Sequence, residues 1–427
     1  MKSFRTGNYN FLRQQNLIGI MHHLYENAPI SRVDLSRLTK LNKTTVSSLI
    51  EELLENDFVR EVGIEKTKGA GRNSVLLDLN PNLGYIVSGE IGGNFIHVIC
   101  TDFSAEIVWQ RKEPLAKSSW EDAREHLTGI LREAVDFAQK RGNLLGLALG
   151  VHGLFEKESG TLLLAPNSGW KNIPLLKILR EDFETGIFID NEANLAAVGE
   201  QFFGAAKGFH EVLYVSLGRG LGGGIVLGGQ IYNGASGIAG EFGHMTANPD
   251  GLLCNCGNYG CWETEVNQAA LIRHLKEIKG TKNLSKGDAD FSIGNIVKAA
   301  EQGDAQTIEA LNRIGRRLGI GLASLLNALN PQLIVFGGEL SAAAEFILPS
   351  AKAEMEKRSL KWALKASEMT VARFGSNAAI MGGVGIVFQS VLSSLSGLKR
   401  NDLKETGAIR RRGGESLKKR SNNLLSL

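Results

Sequence analysis

The sequence predicts a large α/β body behind a small helix-rich module that closes with a β-hairpin. Short apolar runs alternate with helical patterns from Leu83 onward, an order that builds largely parallel sheets covered by helices. In the first sixty positions apolar residues recur at helical spacing instead. The chain has 427 residues, 43% hydrophobic and 22% charged, enough for two or three domains with a large buried core.

The amino-terminal module spans 1–80. Leu12, Leu17, Ile18, Ile20, Met21 and Leu24 form an apolar stripe over roughly 10–25. Ser31, with Asp34 three positions on, is a capping box opening a short helix whose apolar side is Val33, Leu35 and Leu38. Thr39-Lys40-Leu41 makes the turn, and Asn42 caps a helix over 43–55 that turns Val46, Leu49, Ile50, Leu53 and Leu54 inward. Its other face begins with Lys43, Thr44, Thr45, Ser47 and Ser48, the short donors and cation that a recognition helix offers to base edges and phosphates. Two β-type runs, 58–62 and 75–79, flank a basic, glycine-containing tip over 63–74. There Lys68 or Arg72 would enter the minor groove, whose negative potential attracts such side chains. Together these features read as a winged helix-turn-helix for double-stranded DNA; the alternative is a helical domain that binds protein, its hairpin merely solvated.

The body spans 81–397. Strands are expected at 85–88, 96–100, 144–149, 187–189, 212–217 and 333–336, and helices at 120–141, 174–183, 192–203, 297–328 and 341–358. Two strand–glycine–strand hairpins, Gly89–Asn94 and Ser216–Gly224, bring backbone N–H groups where phosphates could approach, or simply turn the chain. Charge is partitioned along the chain: Lys/Arg against Asp/Glu is 11 to 9 in 1–80, 28 to 33 in 81–397 and 9 to 3 in 398–427. An acidic body with basic ends points to the ends as the parts that meet a polyanion. Residues 398–427 are expected to be a disordered basic tail that either adds phosphate contacts or is dispensable.

Charge is expected to interrupt the apolar runs before the roughly 18 residues a membrane span needs. The start, Met1-Lys2-Ser3-Phe4-Arg5, leads into no apolar h-region. Of four cysteines three cluster, unlike a disulfide framework, so a reducing cytoplasm is expected, with no membrane partner.

His244, Cys254, Cys256 and Cys261 lie within eighteen residues. One imidazole and three soft thiolates are the donor set of a closed four-coordinate Zn2+ site, hence a structural one. The alternative is buried free cysteines beside an unrelated histidine. Gly251, Gly257 and Gly260 supply the turns of this knuckle, 244–261. Around it lie Glu241, Glu263 and the pair Asn191-Glu192, acceptors that a polyhydroxylated ligand would need.

The stretch Gly234-Ala235-Ser236-Gly237-Ile238-Ala239-Gly240-Glu241-Phe242-Gly243-His244 resembles the signature of the ROK family (repressors, open reading frames and sugar kinases). So does Cys254-Asn255-Cys256-Gly257-Asn258-Tyr259-Gly260-Cys261-Trp262-Glu263, and Asn330–Gly338 resembles the segment near the adenosine in family kinases. The likeness runs to about Leu395. It implies an actin-like (ribonuclease H-like) pair of α/β lobes closing over a sugar. The ligands it implies are Asn167 (in Pro166-Asn167-Ser168-Gly169-Trp170), Asn191, Glu192, Glu241, His244 and Glu263. His244 would both bind zinc and face the sugar, its orientation set by the metal.

Family repressors carry a winged helix ahead of the body and family kinases lack it. Kinases place Asp at the Glu192 position; their phosphate loops read Asp-x-Gly-Gly-Thr and Gly-Thr-Gly, where this chain has Glu90-Ile91-Gly92-Gly93-Asn94 and Gly218-Arg219-Gly220. These departures argue against phosphoryl transfer, although Arg219 could still hold an anion. Asn191-Glu192-Ala193-Asn194 resembles the form in the family's xylose-operon repressors. The expectation is therefore a cytoplasmic, nucleoid-associated repressor and not an enzyme. It would act as a homodimer or higher homo-oligomer on a two-fold operator, with a pentose or hexose effector. The rival readings are an ATP-dependent sugar kinase and a repressor controlled by a protein partner.

Overall fold

The structure, a computed structural model, describes residues 9–65, 73–115, 119–280 and 291–395. Helix α1 (Tyr9–Asn27) is followed by β1 (Ile30–Ser31), α2 (Arg32–Thr39), α3 (Lys43–Glu55), β2 (Val59–Glu65) and β3 (Ser74–Leu79), with the strands in the order β1-β3-β2. Leu17, Ile20, Met21 and Leu24 are buried, while Leu12, at the near end of the stripe, is 60% exposed. Ser31 caps α2 as the pattern implies: the Asp34 N–H donates to Ser31 Oγ at 3.2 Å, and the hydroxyl donates to Asp34 Oδ2 at 2.6 Å. Only Leu35 of α2 turns inward; Val33 and Leu38 stay exposed. Val33, two positions from Leu35, points to nearly the opposite side of the helix, and Leu38 sits where the chain leaves the helix through left-handed Lys40. Asn42 Oδ1 accepts from the Thr45 N–H at 2.7 Å. Val46, Leu49, Ile50 and Leu53 are buried, so Lys43, Thr44 and Ser48 face solvent, with Thr45 and Ser47 half-buried. Lys68 and Arg72, at the tip of the β2–β3 hairpin, lie outside the described residues, as does the basic tail.

The body has two lobes of like topology. The first contains β4 (Tyr85–Ile91), β5 (Phe95–Asp102), β6 (Ile107–Pro114), α4 (Trp120–Gln139) and β7 (Leu144–Val151). It continues through a small sheet of β8 (Leu154–Glu156), β9 (Thr161–Ala165) and β10 (Trp170–Ile173), then α5 (Leu175–Asp182) and β11 (Ile187–Asn191). Helix α6 (Glu192–Phe203) leads to the second lobe: β12 (Val212–Leu217), β13 (Leu221–Leu227), β14 (Gln230–Ile231), α7 (Trp262–Val266), α8 (Gln268–Lys279), α9 (Ile293–Glu301), α10 (Ala305–Leu329) and β15 (Leu333–Gly337). Then come α11 (Ala344–Arg358), α12 (Lys361–Ala366), β16 (Glu368–Val371) and α13 (Ala378–Leu395). From the antiparallel edge the main sheets read β6-β5-β4-β7-β11 and β14-β13-β12-β15-β16. Each has three antiparallel strands followed by two parallel ones, the duplication expected of an actin-like fold.

The helix expected over 297–328 is two helices, because Gly303 takes φ 84° and Asp304 caps α10, its side chain accepting from the Gln306 N–H. The segment expected as helix 341–358 opens as a 3-10 turn over Glu339–Ala343. The expectation that charge interrupts every long apolar run fails at the carboxyl end. Gly375–Ser393 is long and apolar enough to cross a membrane, although 61% of that window is buried inside the fold. It shows no amphipathic stripe because α13 is covered on both sides, by α6 and by β4 and β7.

Helices α6 and α13 join the lobes and touch backbone to backbone. A Cβ on Gly382 would lie 1.7 Å from the Leu195 carbonyl oxygen, and one on Gly199 would lie 2.5 Å from that of Ala378. Ser88 Oγ donates to the Ile380 carbonyl at 2.6 Å, pinning α13 to β4. Gly382→Ala should therefore destabilise the protein by at least about 1–3 kcal/mol, the cost of overpacking. Denaturant unfolding of that variant checks it.

The winged module is packed onto this pair. His22 of α1 meets Phe202 edge-on at 4.7 Å and Tyr25 meets Phe203 at 4.9 Å. Glu26 pairs with Lys207 at 2.5 Å. Phe58 stands edge-on to Phe103, which stacks on Phe388 of α13 at 4.3 Å. Burial, then the nearby Lys207, lowers the His22 pKa from its ordinary 6.5 to about 4. Above 6.5 both folded and unfolded chains carry it neutral; below, the unfolded chain takes up the proton first. Stability should fall by up to about 3 kcal/mol between pH 6.5 and pH 4, a decline that His22→Gln should flatten in unfolding midpoints measured across that range.

A candidate sugar cleft beside a cysteine–histidine knuckle

Asn167, Asn191, Glu192, Glu241, His244 and Glu263 all line one cleft of ≈ 330 Å³ between the lobes, within the size range of small-molecule sites. Asn191 ends β11 and caps α6: its Oδ1 accepts from the Ala193 N–H at 2.8 Å and its Nδ2 donates to the Gly153 carbonyl at 2.9 Å. The amide is thus aimed by the backbone before any ligand arrives. Glu192 occupies the first turn of α6, where the helix dipole favours an anion. Burial nevertheless raises its pKa, with His152 acting against the rise and Glu90 adding to it. Glu241 precedes the 3-10 turn Phe242–His244, and burial, then Glu192 and Glu263, push it up to about 7. Glu263, in the first turn of α7, accepts from the Leu221 N–H at 3.3 Å. Asn167 is exposed at the β9–β10 turn.

The second glycine-rich hairpin serves these carboxylates. A Cβ on Gly220 would stand 2.9 Å from Glu263 Oε2, and one on Gly222 would stand 3.0 Å from Glu192 Oε1. Side chains there would crowd the acceptors out of place. Arg219, exposed at the tip, and Lys112 of β6 line the same cleft.

Sequence reasoning missed His152 and saw Glu90 only as a changed loop residue. His152 Nε2 lies 2.7 Å from Glu90 Oε1, and its Nδ1 lies 3.9 Å from Glu192 Oε1. No local pattern marks a lone histidine after Val151. The parallel pairing of β4 with β7, which sets Glu90 beside Gly150 and Ile91 beside Val151, brings it to the carboxylates. Burial lowers its pKa, but Glu192 and Glu90 outweigh this and raise it to about 9.

Behind the cleft the donor atoms of His244, Cys254, Cys256 and Cys261 all lie within 4.8 Å of one another. Cys256 Sγ is 3.6 Å from Cys261 Sγ, and Cys254 Sγ is 3.7 Å from His244 Nδ1. Thiolates ~2.3 Å from a tetrahedral metal would stand about 3.8 Å apart, so the cluster fits a metal ion. His244 Nδ1 faces the sulfurs, whereas its Nε2 is 3.8 Å from Glu241 Oε2 on the cleft side. The one ring thus borders both sites.

A winged helix-turn-helix carried on a two-lobed, duplicated α/β body with an acidic cleft defines the class. Residues 86–390 match the ROK family and residues 13–60 match the winged helix-turn-helix DNA-binding family. The chain belongs to the ROK family. The xylose repressor of Caldicellulosiruptor bescii is 34% identical over 397 residues, covering 91% of this chain and 98% of the relative. A glucokinase of Halalkalibacterium halodurans is 33% identical over 317 residues, covering 71% of this chain and 95% of its own. A crystal structure of a ROK family transcriptional regulator, a homologue of the Escherichia coli MLC protein, superposes with a TM-score of 0.72 at 26% identity. It covers 90% of this chain and 98% of that one. The glucokinase covers about as much of the chain as the body occupies; the repressor and the regulator cover more than the body and so reach into the winged module.

Proposed function

We propose that this chain is a sugar-responsive, DNA-binding transcriptional repressor of carbohydrate-utilisation genes, working in the cytoplasm. It would act as a homodimer or higher homo-oligomer on a two-fold operator. The observation that carries the reading is the course of α6. Its first residue, Glu192, lines the cleft, and its last, Phe202 and Phe203, hold His22 and Tyr25 of the winged module. A twelve-residue helix spans about 18 Å, so a ligand that shifts Glu192 acts on one end of a rod whose other end bears the DNA reader. In this reading 1–80 is that reader, 81–397 is the sensor, and 398–427 is a basic extension. Sugar bound to Asn167, Asn191, Glu192, Glu241, His244 and Glu263 would favour a closed arrangement of the lobes and so alter the spacing of the paired winged helices. Release of DNA requires tighter sugar binding to the arrangement that does not fit the operator.

The similarity to a xylose repressor makes D-xylose the first effector to test. A gel shift on the DNA upstream of the protein's own gene, with and without a panel of pentoses and hexoses, should show a specific shift released by one sugar. Lys43 and Thr45 replaced together by alanine should abolish that shift and leave sugar binding in place; unchanged operator affinity would sink the recognition-helix assignment.

Three thiolates and one imidazole with no open position favour structural Zn2+. When bound it would fix His244 for the ligand and hold Cys254, Cys256 and Cys261 as thiolates. Elemental analysis should find one zinc per chain, lost in Cys256→Ser together with the sugar response; a full response without metal would refute the coupling.

The second reading is an ATP-dependent sugar kinase, favoured by the glucokinase relative. Against it stands the extra methylene of Glu192, since a base displaced by about 1 Å costs roughly a hundredfold in rate. The altered loops at Glu90–Asn94 and Gly218–Gly220 weigh the same way. ATP consumption with any sugar of the panel, and no specific shift, would put the kinase reading first.

A further inference from the structure

We infer that Glu90 and His152 belong to the ligand site and set its specificity: the bridge Glu90–His152–Glu192 takes a hydroxyl of an unphosphorylated sugar and excludes the phosphate ester of that sugar. The inference rests on the sugar reading above and concerns two residues which that reading does not use. Glu90 is 4% exposed and rises from β4 into the cleft. One of its oxygens is held by His152 at 2.7 Å; the other, Oε2, is buried without a partner. Glu192 is in the same state, with Oε1 3.9 Å from His152 Nδ1 and Oε2 buried and unpartnered. A buried acceptor left unmatched is costly, and two at one end of a cleft call for a ligand that brings donors. A hydroxyl does so without adding charge.

A phosphate brings only acceptors and negative charge. Among the described residues five carboxylates line the cleft, Glu90, Glu192, Glu241, Glu263 and Glu339. Lys112 and Arg219 are its lysine and arginine, and His244 faces the cysteine cluster. At the bridge itself the cation is His152, already engaged by both carboxylates. A dianion placed there would meet Glu90 and Glu192 with no free positive charge between them, a like-charge arrangement that works as rejection and not merely as weak binding. The imidazolium also has a positive task. It opposes the rise that burial imposes on the Glu192 pKa and so favours the accepting carboxylate there. His152 is thus a positioning residue for Glu192. The groups facing its ring are Glu90 from β4, Glu192 from α6, the Phe95 ring at 5.9 Å and, further off, Glu339.

The test is calorimetric titration of the full-length protein with D-xylose, D-glucose, D-xylose 1-phosphate and D-glucose 6-phosphate. The sugar that binds should do so at least a hundredfold more tightly than its ester. Its affinity should decline as pH rises past about 9, where His152 gives up its proton. His152→Gln and Glu90→Gln should each weaken it at least tenfold, and His152→Gln should lose the alkaline decline. The pH profile and the ester comparison need no variant, so they decide even if a substitution unfolds the chain. An ester that binds as tightly as its sugar, an affinity flat through pH 10, or wild-type affinity in both variants would overturn the inference and leave the sugar site standing. Binding of none of the four ligands, nor of any other pentose or hexose of the panel, would overturn the sugar reading and this inference with it.

Discussion

Helix α6 must satisfy three neighbours at once, and most of the architecture follows from how it does so. Its amino end is capped by Asn191 and projects Glu192 into the cleft. Its middle runs through Ala193, Ala196, Ala197 and Gly199, small enough for α13 to cross in backbone contact. Near its carboxyl end lies Glu200, fully buried yet matched: it accepts from the N–H groups of Ala205, Arg373 and Phe374 at 2.7, 3.0 and 2.9 Å. That carboxylate ties the end of α6 to the loop between β16 and α13, so the two connecting helices are joined there as well as along their crossing. The aromatic seam then hands the pair's position to α1. A close-packed interface of this kind has discrete arrangements and little continuous give, which is what transmission over about 18 Å needs.

The cleft is organised by a shortage of cations. Burial raises the pKa of both Glu192 and Glu241, with His152 acting against the rise at Glu192, and with Glu192 and Glu263 adding to it at Glu241. Glycine at 220 and 222 lets Glu263 and Glu192 lie against backbone. On one side His244 stands between the carboxylates and the sulfur cluster; on the other His152 stands between Glu90 and Glu192. Two histidines therefore border one acceptor-rich site. In the second glycine-rich hairpin, Gly220 and Gly222 make room for carboxylates.

Much of this was legible in the sequence where the signal is local. The Ser31 and Asn42 caps, the inward face of α3 and the cysteine–histidine knuckle depend on residues a few positions apart, and the structure places them as their spacing implies. Asn191, Glu192, Glu241, His244 and Glu263 stood out by their grouping around the knuckle and Asn167 through family likeness alone, and all six line one cavity. What escaped has a common physical cause. Helix α13 is covered on two sides, so burial erases the polar stripe that would have marked it as amphipathic. Val33 and Leu38 are apolar yet exposed, because an eight-residue helix offers one inward anchor. His152 becomes significant only through the register of β4 against β7, a contact between residues sixty-two positions apart. Pairing of that range leaves no trace in a single sequence.

A repressor on this scaffold also has to find enough differential affinity in one small ligand. Swinging a two-state equilibrium from 1:99 to 99:1 takes about 5.5 kcal/mol of preference for one state. Glu90, His152, Asn167 and Asn191 come from the first lobe, Glu241, His244 and Glu263 from the second, and Glu192 from the helix between them. A ligand held by one lobe alone forfeits the hydrogen bonds of the other. With bonds to charged groups contributing about 1.5–3 kcal/mol each, about two to four made only on closure would be enough. A site split between the lobes would thus give a monosaccharide a leverage that a pocket within either lobe would deny it, and the crowding of carboxylates on both walls would concentrate that leverage in the bonds that closure would complete.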